Sequence, residues 1–142
     1  MEKKNIDWGN LGFGYMPTDK RFVANYKNGA WDEGALIDDP MITMSECACV
    51  LQYAQTCFEG LKAYRTEDGH IVIFRPDLNV RRFSDSCRRM LIPEISPEMF
   101  IKAIDMTVRA NEDSVPPYGS GATLYLRPYL FGSSAVIGVK PA

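Results

Sequence analysis

Alternating hydrophobic and polar residues predict a β-hairpin near the middle of the chain. Residues 60–65 (Gly-Leu-Lys-Ala-Tyr-Arg) and residues 70–75 (His-Ile-Val-Ile-Phe-Arg) each alternate as a strand does, and the Asp-Gly pair at 68–69 favours a tight turn between them. Shorter strand-like segments occupy residues 21–26 and 35–37. The chain is therefore expected to contain antiparallel strand pairs.

Helical periodicity replaces this alternation after the hairpin. Asp77 can cap a first helix, and Ser96, Pro97 and Glu98 are a typical start of a second one. The apolar stripes expected to face the core are Leu78, Phe83, Cys87 and Met90 or Leu91 in the first helix, and Phe100, Ile104 and Thr107 or Val108 in the second. The arginines of the first helix are interpreted as a solvated face, with anion binding as the alternative.

The last strong element covers residues 122–132, after a turn rich in Pro and Gly. Pro128 lies inside it and lacks a backbone N–H, which predicts a sheet edge or a break in pairing. Hairpins mixed with helices in this order predict an α+β fold. We expect one two-layer domain over residues 1–142, with a mainly antiparallel sheet and two helices.

Composition and charge narrow the class of protein. The 142 residues are 46% hydrophobic and 24% charged, which excludes disordered and low-complexity classes. Sixteen basic and eighteen acidic residues give a net charge of -2, so no nucleic-acid partner is expected. No apolar run reaches the roughly 20 residues that a membrane helix needs, and the charged N-terminus lacks the apolar region of a signal peptide. We expect no membrane partner and a cytoplasmic location.

Histidine and cysteine usage argues against chemistry that depends on these residues. The single histidine, His70, lies in the predicted turn, so a metal site or a Ser-His-Asp triad would depend on one residue. Cys47, Cys49, Cys57 and Cys87 form no C-x-x-C pair and lie among apolar neighbours. This pattern favours buried free thiols in a reducing compartment over a metal site or a disulfide framework. No metal site is predicted.

Two segments carry side chains suited to binding an anion. Tyr125 and Arg127 share the strand face opposite the leucines of residues 124–130, about 7 Å apart along the strand. A phenol and a guanidinium at this spacing suit a carboxylate, although a solvent-facing strand with an incidental arginine has the same pattern. Arg75 lies between a strand and a helix start, where it could bind a phosphate or carboxylate, or pair with a nearby acid.

The remaining apolar segments are less informative. Tyr53 and Phe58 lie in an apolar stretch that is typical of a protein core, and Gly60 would allow a tight turn or a close approach to the backbone. The small-residue loop at 132–139 could be a lid or a subunit contact.

Taken together, these stretches resemble branched-chain amino-acid aminotransferases, which are pyridoxal-phosphate enzymes of fold type IV. The matching blocks are Leu-Gln-Tyr at 51–53 with Phe-Glu-Gly-Leu-Lys-Ala-Tyr-Arg at 58–65, Phe-Arg-Pro-Asp-Leu-Asn at 74–79, and Leu-Tyr-Leu-Arg-Pro at 124–128. They occur in order and at family-like spacing, so the resemblance covers nearly the whole chain.

The resemblance implies a role for each matching residue. Arg75 corresponds to the arginine that contacts the cofactor phosphate. Tyr125 and Arg127 correspond to the strand pair near the substrate carboxylate, and Phe58 to a wall of the pocket for the branched side chain. Cys57 departs from the family pattern, since a bulkier aliphatic residue is expected there.

Other matching residues imply a dimer. Tyr53 and the segment of Ile137, Gly138 and Val139 are similar to residues that reach the active site of the neighbouring subunit, so a homodimer is expected. The family's cofactor-bearing lysine lies in a second domain beyond the last residue of this chain, and no lysine present matches its setting. We therefore expect an N-terminal small domain that holds no catalytic residue and is inactive by itself.

The implied function is amino-group transfer that depends on pyridoxal 5'-phosphate, from leucine, isoleucine or valine to 2-oxoglutarate, as in branched-chain amino-acid biosynthesis. The small-molecule partners would be amino acids and 2-oxo acids. Two alternatives stay open: a D-amino-acid aminotransferase or aminodeoxychorismate lyase of the same fold, and a non-catalytic oligomerisation module. The blocks at 58–60 and 125–128 favour the branched-chain enzymes. In a non-catalytic module, Arg75, Tyr125 and Arg127 would have no common purpose.

Overall fold

The computed structural model describes residues 6–12 and 14–138 of the chain. Within them, the strands are β1 (Arg21–Val23), β2 (Tyr26–Lys27), β3 (Ala30–Trp31), β4 (Ala35–Ile37), β5 (Thr56–Phe58), β6 (Leu61–Arg65), β7 (Ile71–Ile73), β8 (Leu124–Leu126) and β9 (Tyr129–Phe131). The helices are α1 (Cys49–Tyr53), α2 (Pro76–Met90) and α3 (Pro97–Ala110), with single 3-10 turns at Trp8–Asn10 and Glu112–Ser114. The α+β class is confirmed, and α1 is a short helix in addition to the two predicted.

The strand pairs are antiparallel, as expected, but they form four small sheets instead of one. β7, β6 and β8 form a three-stranded sheet in that order, while β1 pairs with β4, β2 with β3 and β5 with β9. The β6–β7 hairpin is confirmed, with Ala63 opposite Ile73. The single segment predicted at 21–26 is wrong, because Asn25 leaves the ladder to exchange backbone and side-chain hydrogen bonds with Asp32.

The segment predicted as one strand at 122–132 is divided at Pro128, which confirms the predicted break in pairing. Pro128 has no N–H for a ladder, and its carbonyl oxygen instead accepts a hydrogen bond from the Glu59 N–H at 2.8 Å. As a result, β8 pairs with β6 and β9 pairs with β5. One continuous segment therefore joins two sheets, and Arg127 lies at the junction.

Helix α2 begins two residues earlier than predicted, and the prediction of Asp77 as its cap is wrong. Arg75 is the N-cap residue, with φ 46° and ψ 53° in the left-handed region, and Pro76 occupies the first helical position. A following proline disfavours the right-handed helical conformation for Arg75, so the helix cannot extend further back. Asp77 lies in the first turn, where a negative charge interacts favourably with the helix dipole.

Helix α3 follows its sequence signals closely. The Ser96 Oγ accepts a hydrogen bond from the Met99 N–H at 3.1 Å, which confirms the predicted cap. Its buried residues are Phe100, Ile104 and Val108, as predicted.

The core lies between the two long helices and the sheets. Phe83 of α2 and Phe100 of α3 are both buried, with ring centroids 5.4 Å apart. The predicted stripe of α2 is partly wrong, because Leu78 is 48% exposed and Val80 is buried instead. Of the two alternatives at its end, Met90 packs against the core and Leu91 is 63% exposed. Val80 lies about one turn before Phe83 on the same face of α2, and this face packs against the core.

The part of the chain that the structure describes has no helix with both the length and the hydrophobicity that a bilayer crossing requires. Among the same residues, no group of three or more His, Cys, Asp and Glu side chains is placed to hold a metal ion.

Candidate functional site at the end of the three-stranded sheet

The topology brings Arg75 and Arg127 to the same end of the three-stranded sheet. β7 and β8 both run antiparallel to β6, one on each side, so both end near the start of β6: Leu126 is opposite Leu61, and Ile73 is opposite Ala63. Arg75 comes two residues after the end of β7, and Arg127 directly follows β8. Strands are spaced by about 4.8 Å, so the two outer strands are about 10 Å apart.

Arg127 is held by aromatic side chains. Its Nε and Nη2 both donate to the Tyr125 hydroxyl at 3.3 Å, and its guanidinium carbon lies 4.6 Å from the centroid of the Phe58 ring. Among the described residues, no acid forms an ion pair with it. Aromatic faces attract a cation without neutralising its charge, so this guanidinium keeps its capacity for an external anion. We call Phe58, Tyr125 and Arg127 the aromatic–arginine cluster.

Gly60 makes room for this cluster. A Cβ atom at this position would lie 2.7 Å from the Tyr125 hydroxyl oxygen, which is closer than van der Waals contact allows. The close approach predicted at Gly60 is therefore confirmed, and the approaching group is the phenol of Tyr125. The absence of a side chain at Gly60 allows the hydroxyl to lie where it accepts hydrogen bonds from Arg127.

Arg75 is held by a carboxylate. Its Nε and Nη2 donate to the two carboxylate oxygens of Asp77 at 2.9 and 2.8 Å, and both side chains are about half exposed. The Arg75 guanidinium lowers the pKa of Asp77 to about 2, and hydrogen bonding to Asp77 raises the pKa of Arg75. The structure thus contains the ion pair that was the alternative for Arg75, and Nη1 is the terminal nitrogen that Asp77 does not use.

A buried carboxylate at this site has no counterpart among the residues singled out from the sequence. The Glu59 side chain is 2% exposed, and its two oxygens accept from Arg82 Nε and Nη2 at 2.6 and 2.7 Å. Asn79 Nδ2 donates to Glu59 Oε2 at 2.7 Å. Burial by itself raises the pKa of Glu59, but the hydrogen bonds from Arg82 and Asn79 outweigh burial and lower it. Strand alternation could have indicated that Glu59 is buried, because residues two apart in a strand point to the same face and Cys57 is buried.

The remaining candidate residues lie elsewhere. Tyr53 and Phe58 are 43% and 56% exposed, so the core placement expected from periodicity is wrong for both. Tyr53 ends α1, which is bound to the segment after β9: the Val50 N–H donates to the Gly132 carbonyl at 2.9 Å. Further along that segment, Ile137 is exposed. The neighbouring candidate Gly138 is half-buried, and the candidate Val139 lies outside the described residues.

The four cysteines are free thiols. Cys57 faces the core, where its Sγ lies 3.8 Å from the Sγ of Cys87. Burial raises the pKa of both thiols, that of Cys87 to about 12. Because Phe58 points to the opposite side of β5, the small size of Cys57 leaves the aromatic–arginine cluster unchanged.

Comparison with known proteins confirms the resemblance. The chain is 50% identical over 139 residues to the branched-chain-amino-acid aminotransferase of Helicobacter pylori and 51% identical over 139 residues to that of Haemophilus influenzae. These alignments cover 98% of this chain but only 41% and 40% of the relatives, so the chain spans about two fifths of their length. A third relative, from Arabidopsis thaliana, is named a methionine aminotransferase and is 43% identical over 138 residues. That alignment covers 96% of this chain and 39% of the relative.

The fold matches solved aminotransferases as well. The crystal structure of the T.th. branched-chain amino acid aminotransferase complexed with N-(5'-phosphopyridoxyl)-L-glutamate superimposes with a TM-score of 0.61 at 31% identity, covering 77% of this chain and 34% of that one. No family model matches the chain.

Proposed function

We propose that this chain, which is homologous to the N-terminal portion of the branched-chain-amino-acid aminotransferases, forms the small domain of an aminotransferase that uses pyridoxal 5'-phosphate. The reaction would transfer the amino group of leucine, isoleucine or valine to 2-oxoglutarate. The observation that carries this proposal is the state of Arg127, whose guanidinium is fixed by aromatic side chains and paired with no acid of the described chain.

A carboxylate is the group that best fits Arg127. Every amino acid and 2-oxo acid of the proposed reaction carries an α-carboxylate, and a guanidinium binds such a group with two parallel hydrogen bonds. Phe58 and Tyr125 offer exposed ring surface beside the guanidinium. An aliphatic side chain could pack on this surface while the carboxylate is bound, which supports substrates with apolar side chains.

The surroundings of Arg75 fit a phosphate ester. Nη1 of Arg75 is not engaged by Asp77, and the start of α2 adds the positive end of a 15-residue helix. When bound, pyridoxal phosphate would supply an electron sink for bond changes at the substrate Cα. The chain's own contribution is binding: Arg75 holds the phosphate and Arg127 holds and orients the substrate carboxylate.

The proposed enzyme needs residues outside these 142 positions. A lysine that carries the cofactor and moves the Cα proton would lie in the remaining part of the protein, so we assign binding residues here and no catalytic one.

We also propose a homodimer in which Tyr53 and the segment of Ile137, Gly138 and Val139 reach the partner's site. Tyr53 and Ile137 support this arrangement, because both are exposed and their two segments are hydrogen-bonded to each other. The free thiols support a cytoplasmic location.

Activity of the complete protein tests the proposal. The full open reading frame that contains this chain, purified with pyridoxal phosphate, should convert L-leucine and 2-oxoglutarate into a 2-oxo acid and glutamate. L-methionine is a useful second donor, because one relative is named a methionine aminotransferase. Activity with D-alanine alone, or pyruvate release from aminodeoxychorismate, would favour the other enzymes of this fold. An oligomer that performs none of these reactions would support the non-catalytic module instead.

A further inference from the structure

We infer that Glu59 is a positioning residue that fixes the distance between the two anion-binding arginines, Arg75 and Arg127. This role rests on the proposed function, because the distance between Arg75 and Arg127 matters only if these arginines bind the cofactor phosphate and the substrate carboxylate. It belongs to a residue that touches neither proposed ligand and acts through the elements that carry those arginines.

On one side, Glu59 is bound to the strand break that carries Arg127. The Glu59 N–H donates to the carbonyl oxygen of Pro128, the residue after Arg127, at 2.8 Å. Its chain neighbours are Phe58, whose ring lies against the Arg127 guanidinium, and Gly60, which accommodates the Tyr125 hydroxyl. The backbone around Glu59 therefore supports every member of the aromatic–arginine cluster.

On the other side, the Glu59 carboxylate is bound to the helix that follows Arg75. Its partners Asn79 and Arg82 are three residues apart and thus lie on one face of the first turns of α2. Asn79 Nδ2 also approaches the Gly60 carbonyl oxygen at 3.3 Å, so helix and turn are joined at two points. A shift of the start of α2 relative to this turn would move Arg75 relative to Arg127.

Burial makes this connection more specific than an ordinary ion pair. Arg88 and Glu94 form a comparable bidentate pair at 2.8 and 3.0 Å, but both side chains are exposed and can exchange their partners for water. The Glu59 carboxylate is buried, and each of its oxygens is occupied by a donor of α2. A buried, fully paired carboxylate has one low-energy arrangement, because any other leaves a charge desolvated without partners.

The test compares Glu59→Gln with Glu94→Gln in the complete protein. Glu59→Gln keeps the size of the side chain and an acceptor for Asn79 but loses the charge that holds Arg82. Misplacement of a binding group by about 1 Å can cost about a hundredfold in rate, so we expect a rise of about tenfold or more in both the Kd of pyridoxal phosphate and the KM of L-leucine. Glu94→Gln, which removes the exposed counterpart, should stay within about twofold of wild type in both quantities.

Two further measurements separate positioning from stability. The kinetic constants are measured well below the Tm of each variant, where a merely structural role would lower Tm and leave Kd and KM unchanged; that result would overturn the inference. Arg82→Lys keeps the positive charge but loses the fork, so its Kd and KM should lie between those of wild type and Glu59→Gln. If Glu59→Gln does not fold, wild-type values in Arg82→Lys would equally contradict this role.

The outcome also distinguishes this inference from the proposed function. A wild-type protein that transaminates leucine and binds pyridoxal phosphate, together with an unaffected Glu59→Gln variant, would overturn only the role of Glu59. A wild-type protein that does neither would overturn the proposed function, and the role of Glu59 with it.

Discussion

Arg75 and Arg127 lie at the same end of one sheet, yet the chain holds their charges in different ways. Arg75 directs two donor groups at the carboxylate of Asp77, whereas Arg127 directs its donors at a neutral phenol and stacks on Phe58. A carboxylate neutralises a guanidinium, while an aromatic ring orients it and leaves the charge in place. A ligand at Arg127 therefore meets an uncompensated charge, whereas a ligand at Arg75 must share the guanidinium with Asp77.

The largest effect is expected from Arg127→Met. A hydrogen bond to a charged group contributes about 1.5–3 kcal/mol, so kcat/KM of the complete enzyme for leucine should fall by about 10- to 100-fold. The Kd of pyridoxal phosphate should change little, because Arg127 binds the substrate. Arg88→Met is the matched control, since Arg88 pairs with Asp85 and Glu94 away from the cluster. An unaltered kcat/KM for leucine in Arg127→Met would contradict the assigned role.

Arg75→Ala is expected to produce a smaller loss in a different quantity. The Kd of pyridoxal phosphate should rise by about tenfold, because the guanidinium is already shared with an internal carboxylate. At saturating cofactor, the KM for leucine should remain close to that of wild type. Titration of the cofactor into the apo form measures this, with Arg109→Ala as a control whose partner, Asp105, lies on the same helix α3. Unchanged cofactor affinity would remove Arg75 from the site.

Gly60→Ala tests whether the aromatic setting of Arg127 matters. The new Cβ would meet the Tyr125 hydroxyl at 2.7 Å and displace it, while the backbone conformation at Gly60 accepts any residue. We expect a rise of about threefold in the KM for leucine and a change of less than about 1 kcal/mol in the free energy of unfolding. Gly9→Ala, where the nearest atom is 3.6 Å from the new Cβ, is the control. If the phenol is the cause, Gly60→Ala should add nothing in a Tyr125→Phe background.

The smallest effect is expected from Asp77→Asn. Asparagine carries no charge and has one acceptor oxygen instead of two, so at least one donor of Arg75 is freed and binding of pyridoxal phosphate should tighten by about two- to threefold. The pKa of Asp77 is depressed from 3.8 to about 2, so the pair is fully present above pH 3.8 and is lost as the pH falls through about 2. The effect should therefore be constant between about pH 6 and pH 9.

Asp85→Asn, in the same helix α2, controls for the change in net charge. Weaker cofactor binding by Asp77→Asn would contradict the comparison, because it would mean that Asp77 orients Arg75 and does not compete for it.

Features that depend on a few consecutive residues could be predicted from the sequence. The β6–β7 hairpin follows from an Asp-Gly turn between two alternating runs, and the cap of α3 follows from Ser96. The break at Pro128 follows from its missing N–H. The proximity of Tyr125 and Arg127 follows from strand alternation, since two residues of equal parity share a face.

Features that depend on distant residues could not be predicted in this way. Glu59 lies 20 and 23 residues from its partners Asn79 and Arg82, so no local pattern indicates the pairing. The exposure of Phe58 depends on α2, which packs on the opposite face of β5 and buries Cys57 against Cys87. The start of α2 differs from the prediction because Pro76 takes the first helical position, which makes Arg75 the cap residue and places Asp77 in the first turn.

The central claim is that Arg127 receives the substrate carboxylate while Arg75 receives the cofactor phosphate. A crystal structure of the complete protein with pyridoxal phosphate and 4-methylpentanoate, which is leucine without its amino group, tests it most directly. We predict a carboxylate oxygen about 3 Å from the Arg127 guanidinium nitrogens and the phosphate in contact with Arg75. A structure in which the carboxylate binds elsewhere, with Arg127 still directed only at Tyr125, would contradict the account.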